Sequence, residues 1–214
     1  SVAYLSPGAV ARAFGLAEPV RRQVVEGLPG RPPLMCPGCP HRGLYYALRS
    51  LNAVVMGDIG CYTLGALPPL SQMDSCVCMG ASIGMMHGMR IAGGVEGRPV
   101  VSVIGDSTFA HSGLTPLANI AYNGGSGVAI ILDNRITAMT GHQGNPLMGR
   151  TLMGDHTVEI DIERLCEALG ITDVNTVDPH DIAATRAVLR DAAKRDGLSV
   201  VVSKAPCALL LRDK

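Results

Sequence analysis

Two short polar stretches, Gly105-Asp106-Ser107 and Asp133-Asn134, each follow a run rich in Val and Ile, and Asp106 and Asn134 stand 28 positions apart. One strand–helix–strand crossover spans about that length, so the two side chains can reach neighbouring strand ends on one sheet edge. An Asp carboxylate, an Asn amide oxygen and a backbone carbonyl near Ile136 form a hard-oxygen donor set for Mg²⁺, with coordination positions left for two diphosphate oxygens. Backbone amides around Ser107, where the next helix opens, would take the remaining negative charge. Singly, Asp106 reads equally well as a helix N-cap and Asp133-Asn134 as a strand-end turn. The pair, at this spacing on one edge, points to metal and diphosphate.

The seven cysteines form a second group. Cys36-Pro-Gly-Cys39 is a CxxC, open by itself to a redox dithiol, zinc or an iron–sulfur cluster. It precedes a helix instead of following a strand in a thioredoxin-like unit, which weighs against the dithiol. Cys61 falls after the next strand and Cys207 after the last one. Four thiolates suit a [4Fe–4S] cluster or tetrahedral zinc, provided the topology brings the last loop to the same edge. Cys76, Cys78 and Cys166 fall in helical pattern and read as small buried hydrophobes. His41, directly after the CxxC, and His111, five residues past Asp106, could each donate a proton or touch substrate; the alternative for both is a surface or capping role. His87 and the Met85, Met86 and Met89 group read as packing.

These residues need a scaffold, and the chain alternates. Strands are expected at 52–56, 99–104, 127–132, 172–177 and 199–203, and helices at 41–51, 75–91, 112–122, 158–169 and 181–195. Continuous Val/Ile runs mark strands covered on both faces, and their alternation with helices gives βαβ units. The fold class is therefore α/β with a mostly parallel central sheet, whose ligands bind outside the carboxyl ends of the strands. Ser6-Pro7 reads as an N-cap and first-turn proline opening a short helix towards Phe14. Residues 1–35 are expected to be a linker or N-terminal extension and 36–214 one domain.

Composition narrows the classes. The 214 residues carry 18 basic and 18 acidic side chains, 47% hydrophobic and 17% charged, which excludes disorder as the main state. There is no basic run to grip nucleic acid and no stretch near ~18 apolar residues to span a membrane. No signal peptide pattern opens the chain, so a reduced, cytoplasmic setting is expected, and an odd cysteine count argues against complete pairing. A chain opening on Ser1 is expected to be processed or a piece of something longer.

The longer text is more specific. Gly105-Asp106 with Asp133-Asn134 resembles the thiamine diphosphate motif GDG…NN, with Ser107 in place of the third glycine and Asp133 in place of the first asparagine. CPGCPHRGLYYAL (36–48), GDIGCYTLGALPPL (57–70), CMGASIGMMHGM (78–89), GDSTFAHSGLTPLANIAYN (105–123) and DNRITAMTGHQGNP (133–146) resemble the large subunit of the indolepyruvate ferredoxin oxidoreductase family, over roughly residues 30–210. The resemblance implies a three-layer thiamine diphosphate-binding fold. It implies Mg²⁺ on Asp106, Asn134 and the Ile136 carbonyl, with Gly105 and Ser107 at the diphosphate. It places Met79, Gly80, Ala81 and Ser82 beside the cofactor's rings, Asp58, Gly60 and Cys61 near the thiazolium, and Thr140 and Gln143 in the bordering loop. It assigns Cys36, Cys39, Cys61 and Cys207 to a [4Fe–4S] cluster. The implied activity is oxidative decarboxylation of a 2-oxoacid, an aryl pyruvate with indolepyruvate first, coenzyme A taking the acyl group and ferredoxin the electrons. It further implies a pyrimidine-binding domain with an activating glutamate, absent from these 214 residues, and a smaller partner subunit in an oligomer. Two other readings stay open: a non-oxidative thiamine diphosphate-dependent 2-oxoacid decarboxylase subunit without a cluster, and a non-catalytic zinc- or cluster-bearing interaction module.

Overall fold

Strands rich in Val and Ile need apolar cover on both faces. A computed structural model, which describes residues 6–17, 19 and 26–211, provides it. Residues 1–5, 18 and 20–25 of the expected extension, and 212–214, lie outside the described residues. The chain divides into two compact units, 1–32 and 33–214. The first contains α1 (Pro7–Ala13), opened as expected by Ser6, whose hydroxyl accepts the Ala9 N–H at 3.2 Å.

The second unit is built on six parallel strands: β1 (Val54–Gly57), β2 (Ser75–Cys76), β3 (Val100–Gly105), β4 (Gly127–Asp133), β5 (Asp173–Val177) and β6 (Leu198–Lys204). Their order is β2-β1-β3-β4-β6-β5. Along each strand, alternate residues feed opposite faces. Val101, Val103, Ile130 and Val201 pack under α2 (Pro40–Leu48) and α7 (Ile182–Lys194) through Leu44, Tyr45, Leu48 and Leu189. Ile104, Ala129, Ile131, Val200 and Val202 pack under α3 (Ala81–Ile91), α5 (Leu114–Tyr122) and α6 (Ile162–Ala168) through Ile83, Met86, Leu117, Ile120, Ile162 and Cys166. The result is the expected three-layer α/β arrangement. Burying each such Leu or Ile contributes about 1.5–3 kcal/mol.

Because all strands run one way, their carboxyl ends share one edge. The chain leaves β1 for β2 on one side, then crosses back to place β3 on the other. The crevice between the ends of β1 and β3 is therefore a topological switch point.

Three expected helices change their limits, each for a local reason. The one expected over 75–91 starts only at Ala81. Gly80 is left-handed (φ 87°), and the Asp58 carboxylate accepts from the Gly80 and Ser82 amides, which fixes the helix start there. Ser75-Cys76 becomes an edge strand instead, and Cys76 and Cys78 are exposed where burial was expected; Cys166 is buried. The helix expected from 112 begins already at Asp106, as α4 (Asp106–Thr108), a π-turn (Phe109–Gly113) and then α5. Pro116 has no N–H to give the Ser112 carbonyl, and the wide turn just before it absorbs the missing bond. The helix expected over 158–169 shortens to α6, capped by Asp161, which accepts the Arg164 N–H at 2.9 Å.

Candidate functional site

At the switch point lies a cleft that opens to solvent. β3 ends on Gly105, where a Cβ would stand 2.7 Å from the Tyr62 ring; a Cβ on Gly60 would meet the same ring at 2.4 Å. Glycine is thus required for the backbone to pass Tyr62 on both sides of the cleft. Asp106 follows at 3% exposure. One of its oxygens accepts the Ser107 N–H at 2.6 Å, and the other, Oδ2, is buried without a partner. Burial pushes its pKa up to about 6; the Ser107 N–H holds it down, the Asp133 charge adds to the rise, and the Asn145 amide counters it. A buried carboxylate with one bare oxygen is what a bound cation would satisfy.

Asn134 supplies the second oxygen. It is buried, Oδ1 accepts the Ile136 N–H at 3.2 Å, and Nδ2 lies 3.4 Å from His41 Nε2. Arg135 between them is left-handed (φ 65°). Its guanidinium pairs with Asp133 at 3.3 Å, donates to the Leu147 carbonyl at 2.8 Å and bonds Glu159. Asp133 also faces Lys204 at 4.0 Å. The Asp that stands in the motif's asparagine position is therefore committed to basic side chains and anchors the loop behind the site.

Ten expected residues line this cleft: Gly60, Cys61, Met79, Gly105, Asp106, Ser107, Asn134, Ile136, Thr140 and His41. Asp58, Gly80 and Ser82 do not line it but build its wall. Asp58 is fully buried and accepts from the Ile59, Gly80 and Ser82 amides at 2.8, 2.9 and 3.2 Å. Thr140 donates to the Gln143 side chain at 2.5 Å, which steadies the bordering loop. His111, expected to reach substrate, is instead exposed, bonded to Ser112 Oγ at 2.6 Å and outside the cleft lining. The π-turn carries it away. His41 is buried, and desolvation lowers its pKa to about 4, so it is neutral at pH 7.

Two contributors escaped the sequence reading. Asn145 is buried, its Oδ1 accepts the Leu147 N–H at 3.0 Å, and its Nδ2 lacks a partner although the amide acts on the Asp106 carboxyl. Asn145-Pro146 carries only a turn signal. Tyr62 is buried, with its hydroxyl donating to the Ile59 carbonyl at 3.0 Å. No spacing flags it.

A second cavity is lined by Cys36, Cys39, Cys61 and Cys207 with mainly apolar neighbours. The topology does bring the last loop round. β6 lies beside β4, and the Cys207 N–H donates to the Asn134 carbonyl at 3.1 Å. Burial pushes the Cys39 thiol up to about 11; the His41 N–H lowers it, and Cys61, Cys36 and Cys207 raise it further. The four sulfurs are thus electrostatic neighbours. Among the described residues no group of three or more His, Cys, Asp or Glu side chains is placed to hold a metal ion. The two cavities share His41, Cys61, Asn134 and Ala138 as a common wall.

Residues 58–203 match the family model of the C-terminal, thiamine pyrophosphate-binding domain of thiamine pyrophosphate enzymes. The chain is 44% identical, over 94% of its length, to an indolepyruvate oxidoreductase subunit of Thermococcus kodakarensis, and covers 34% of that relative. It is 42% identical, over 85% of its length, to the corresponding subunit of Archaeoglobus fulgidus, and covers 30% of it. The chain thus spans about a third of the length of these curated relatives. Among solved structures, a 2-oxoglutarate:ferredoxin oxidoreductase from Magnetococcus marinus superimposes with a TM-score of 0.71 at 19% identity, covering 83% of this chain and 65% of that one. A thiamin diphosphate-dependent enzyme from Mycobacterium smegmatis gives 0.53 at 21%, covering 87% of this chain and 34% of that one. At those identities the likeness is one of fold.

Proposed function

The chain belongs to the family of thiamine pyrophosphate-binding C-terminal domains, and on that premise we propose that it serves a 2-oxoacid:ferredoxin oxidoreductase of the indolepyruvate type. In this reading residues 36–214 form the cofactor domain and 1–35 an extension. The cleft takes thiamine diphosphate with Mg²⁺, and the cysteine cavity takes a [4Fe–4S] cluster. The observation that carries the proposal is the shared wall: four cysteines from three distant segments surround one cavity directly behind the cleft. A plain decarboxylase has no use for that arrangement. The identity to indolepyruvate oxidoreductase subunits supports the substrate class.

Asp106, Asn134 and the Ile136 carbonyl would hold Mg²⁺, the bare Asp106 oxygen being the site's strongest demand for a cation. Ser107 and the helix start behind it would receive the diphosphate. When bound, thiamine supplies the electron sink into which a 2-oxoacid loses its carboxylate. The chain's own part is to hold, orient and keep dry. Leu132, Ile136 and Tyr62 give the cleft an apolar lining, while Asp58 fixes the loop carrying Met79. Neither His111, which lies outside the cleft, nor neutral His41 is placed as an acid for substrate. By the family resemblance, activation of the cofactor would fall to a glutamate of a pyrimidine-binding domain. The overall conversion takes a 2-oxoacid and coenzyme A to acyl-coenzyme A and carbon dioxide, releasing two electrons and one proton. Two ferredoxins would each take one electron. The setting is cytoplasmic, where thiols stay reduced; all seven cysteines are free, and among the described residues no helix is long and apolar enough to cross a membrane.

The test uses anaerobically purified protein with any partner subunits it retains, supplied with indolepyruvate, coenzyme A and ferredoxin. Reduced ferredoxin and acyl-coenzyme A are expected together. Release of an aldehyde with no ferredoxin reduction would replace this reading with the decarboxylase.

A further inference from the structure

The two cavities are tied together through one residue pair. Asn134, on the metal side, meets two of the cysteine segments. Its carbonyl accepts the Cys207 N–H at 3.1 Å, and its side-chain nitrogen lies 3.4 Å from His41 Nε2. His41 in turn sits two residues after Cys39, in the first turn of α2. The ring is clamped as well, edge-on to Tyr62 with centroids 5.9 Å apart and planes at 89°. Both His41 and Asn134 are buried.

The chemistry of the contact is directional. An amide nitrogen only donates, so His41 Nε2 must accept, and the imidazole proton sits on Nδ1. That contact also fixes which end of the Asn134 amide faces away from His41. With Nδ2 held there, Oδ1 is the end left to a cation. We infer that His41 is a positioning residue that orients the Asn134 amide for the metal and, through Cys39 and Cys207, couples the cysteine cavity to the cofactor cleft. The inference rests on the reading of the two sites given above and adds to it a linkage. Loading either site favours loading the other, and by thermodynamic reciprocity the factor is the same in both directions.

Two measurements on the purified protein, with any partner subunits it retains, test this. The first titrates Mg²⁺–thiamine diphosphate by calorimetry into the cluster-loaded and the iron-chelated forms. Wild type is expected to bind at least about fivefold more tightly when loaded, the lower bound of ordinary site-to-site coupling. His41→Leu keeps the volume but cannot accept, and its two affinities should become equal; His41→Gln, whose amide oxygen can accept, should recover part of the difference. Equal ratios in wild type and His41→Leu would overturn the coupling while leaving both sites standing. A wild type that binds no iron or no cofactor would instead overturn the site reading, and the inference with it. The second measurement needs no variant: ¹⁵N spectra of the iron-free protein should show His41 protonated at Nδ1 and bare at Nε2. The opposite tautomer would contradict the assignment.

Discussion

The cofactor cleft and the cysteine cavity share a wall, yet they are built in opposite ways. The cleft's polar groups stand at or just beyond strand ends and are pinned by backbone amides. Asp58 holds three of them, Asp106 one and Asn134 one. Among the polar atoms it leaves unsatisfied are Asp106 Oδ2, Asn145 Nδ2 and Ser82 Oγ. The cavity's sulfurs come from loops before α2, after β1 and after β6, in apolar surroundings that keep the Cys39 thiol protonated at pH 7. The first region is a rigid hard-oxygen site short of a cation. The second gathers soft sulfur donors. In the proposed reading, one domain would keep two metal chemistries apart by donor type while placing them wall to wall.

The contrast can be broken most strongly from the soft side. Cys39→Ala or Cys207→Ala should abolish iron retention, while Mg²⁺–thiamine diphosphate still binds, measured by iron assay and calorimetry on the same sample. From the hard side, Asp106→Ala should weaken cofactor binding by more than about a hundredfold, beyond the 10–100-fold cost of losing an orienting partner. Its iron content should stay near wild type. If either substitution empties both sites, the two regions are not separately built.

pH sharpens the difference. With the Asp106 pKa raised to about 6, protons compete with Mg²⁺ below that pH. Cofactor affinity should fall about tenfold per unit below pH 6 and level off above it. Stability of the ligand-free protein follows opposed signs. Asp106, raised in the fold, contributes stability that is full below about 3.8 and is lost as pH rises through about 6. His41, lowered to about 4, contributes stability that is present above about 6.5 and is lost as pH falls through about 4. Between those limits they offset each other. Asp106→Asn removes one side, so its stability should drop by up to roughly 3 kcal/mol from pH 7 to 4 in urea titrations, more than that of wild type. Smaller still, Arg135→Ala should cost about tenfold in cofactor affinity, by releasing the loop behind Asn134. His111→Ala should change neither iron content nor cofactor affinity.

These regions also differ in how far the sequence reveals them. Asp106 and Asn134 were legible because strand ends and crossover length are written in the Val/Ile runs. The cysteine grouping was legible only in part. That Cys207 reaches Cys36 depends on β6 inserting between β4 and β5, and strand order leaves no trace in periodicity. Asp58 was read as a cofactor contact, whereas it spends its oxygens on the loop at Gly80, a role set by a tertiary approach of residues 22 positions apart. His111 is near Asp106 in sequence, but in the fold it is exposed and bonded to Ser112 Oγ. Asn145 and Tyr62 lacked any pattern because their importance comes from what folds against them.

The most direct test is a single anaerobic sample assayed together for iron, acid-labile sulfide and bound thiamine diphosphate. About four irons, about four sulfides and one cofactor per chain are expected. An iron-free protein that still binds Mg²⁺–thiamine diphosphate would contradict the proposed reading, leaving the cleft as the only metal site and the four cysteines without a cluster.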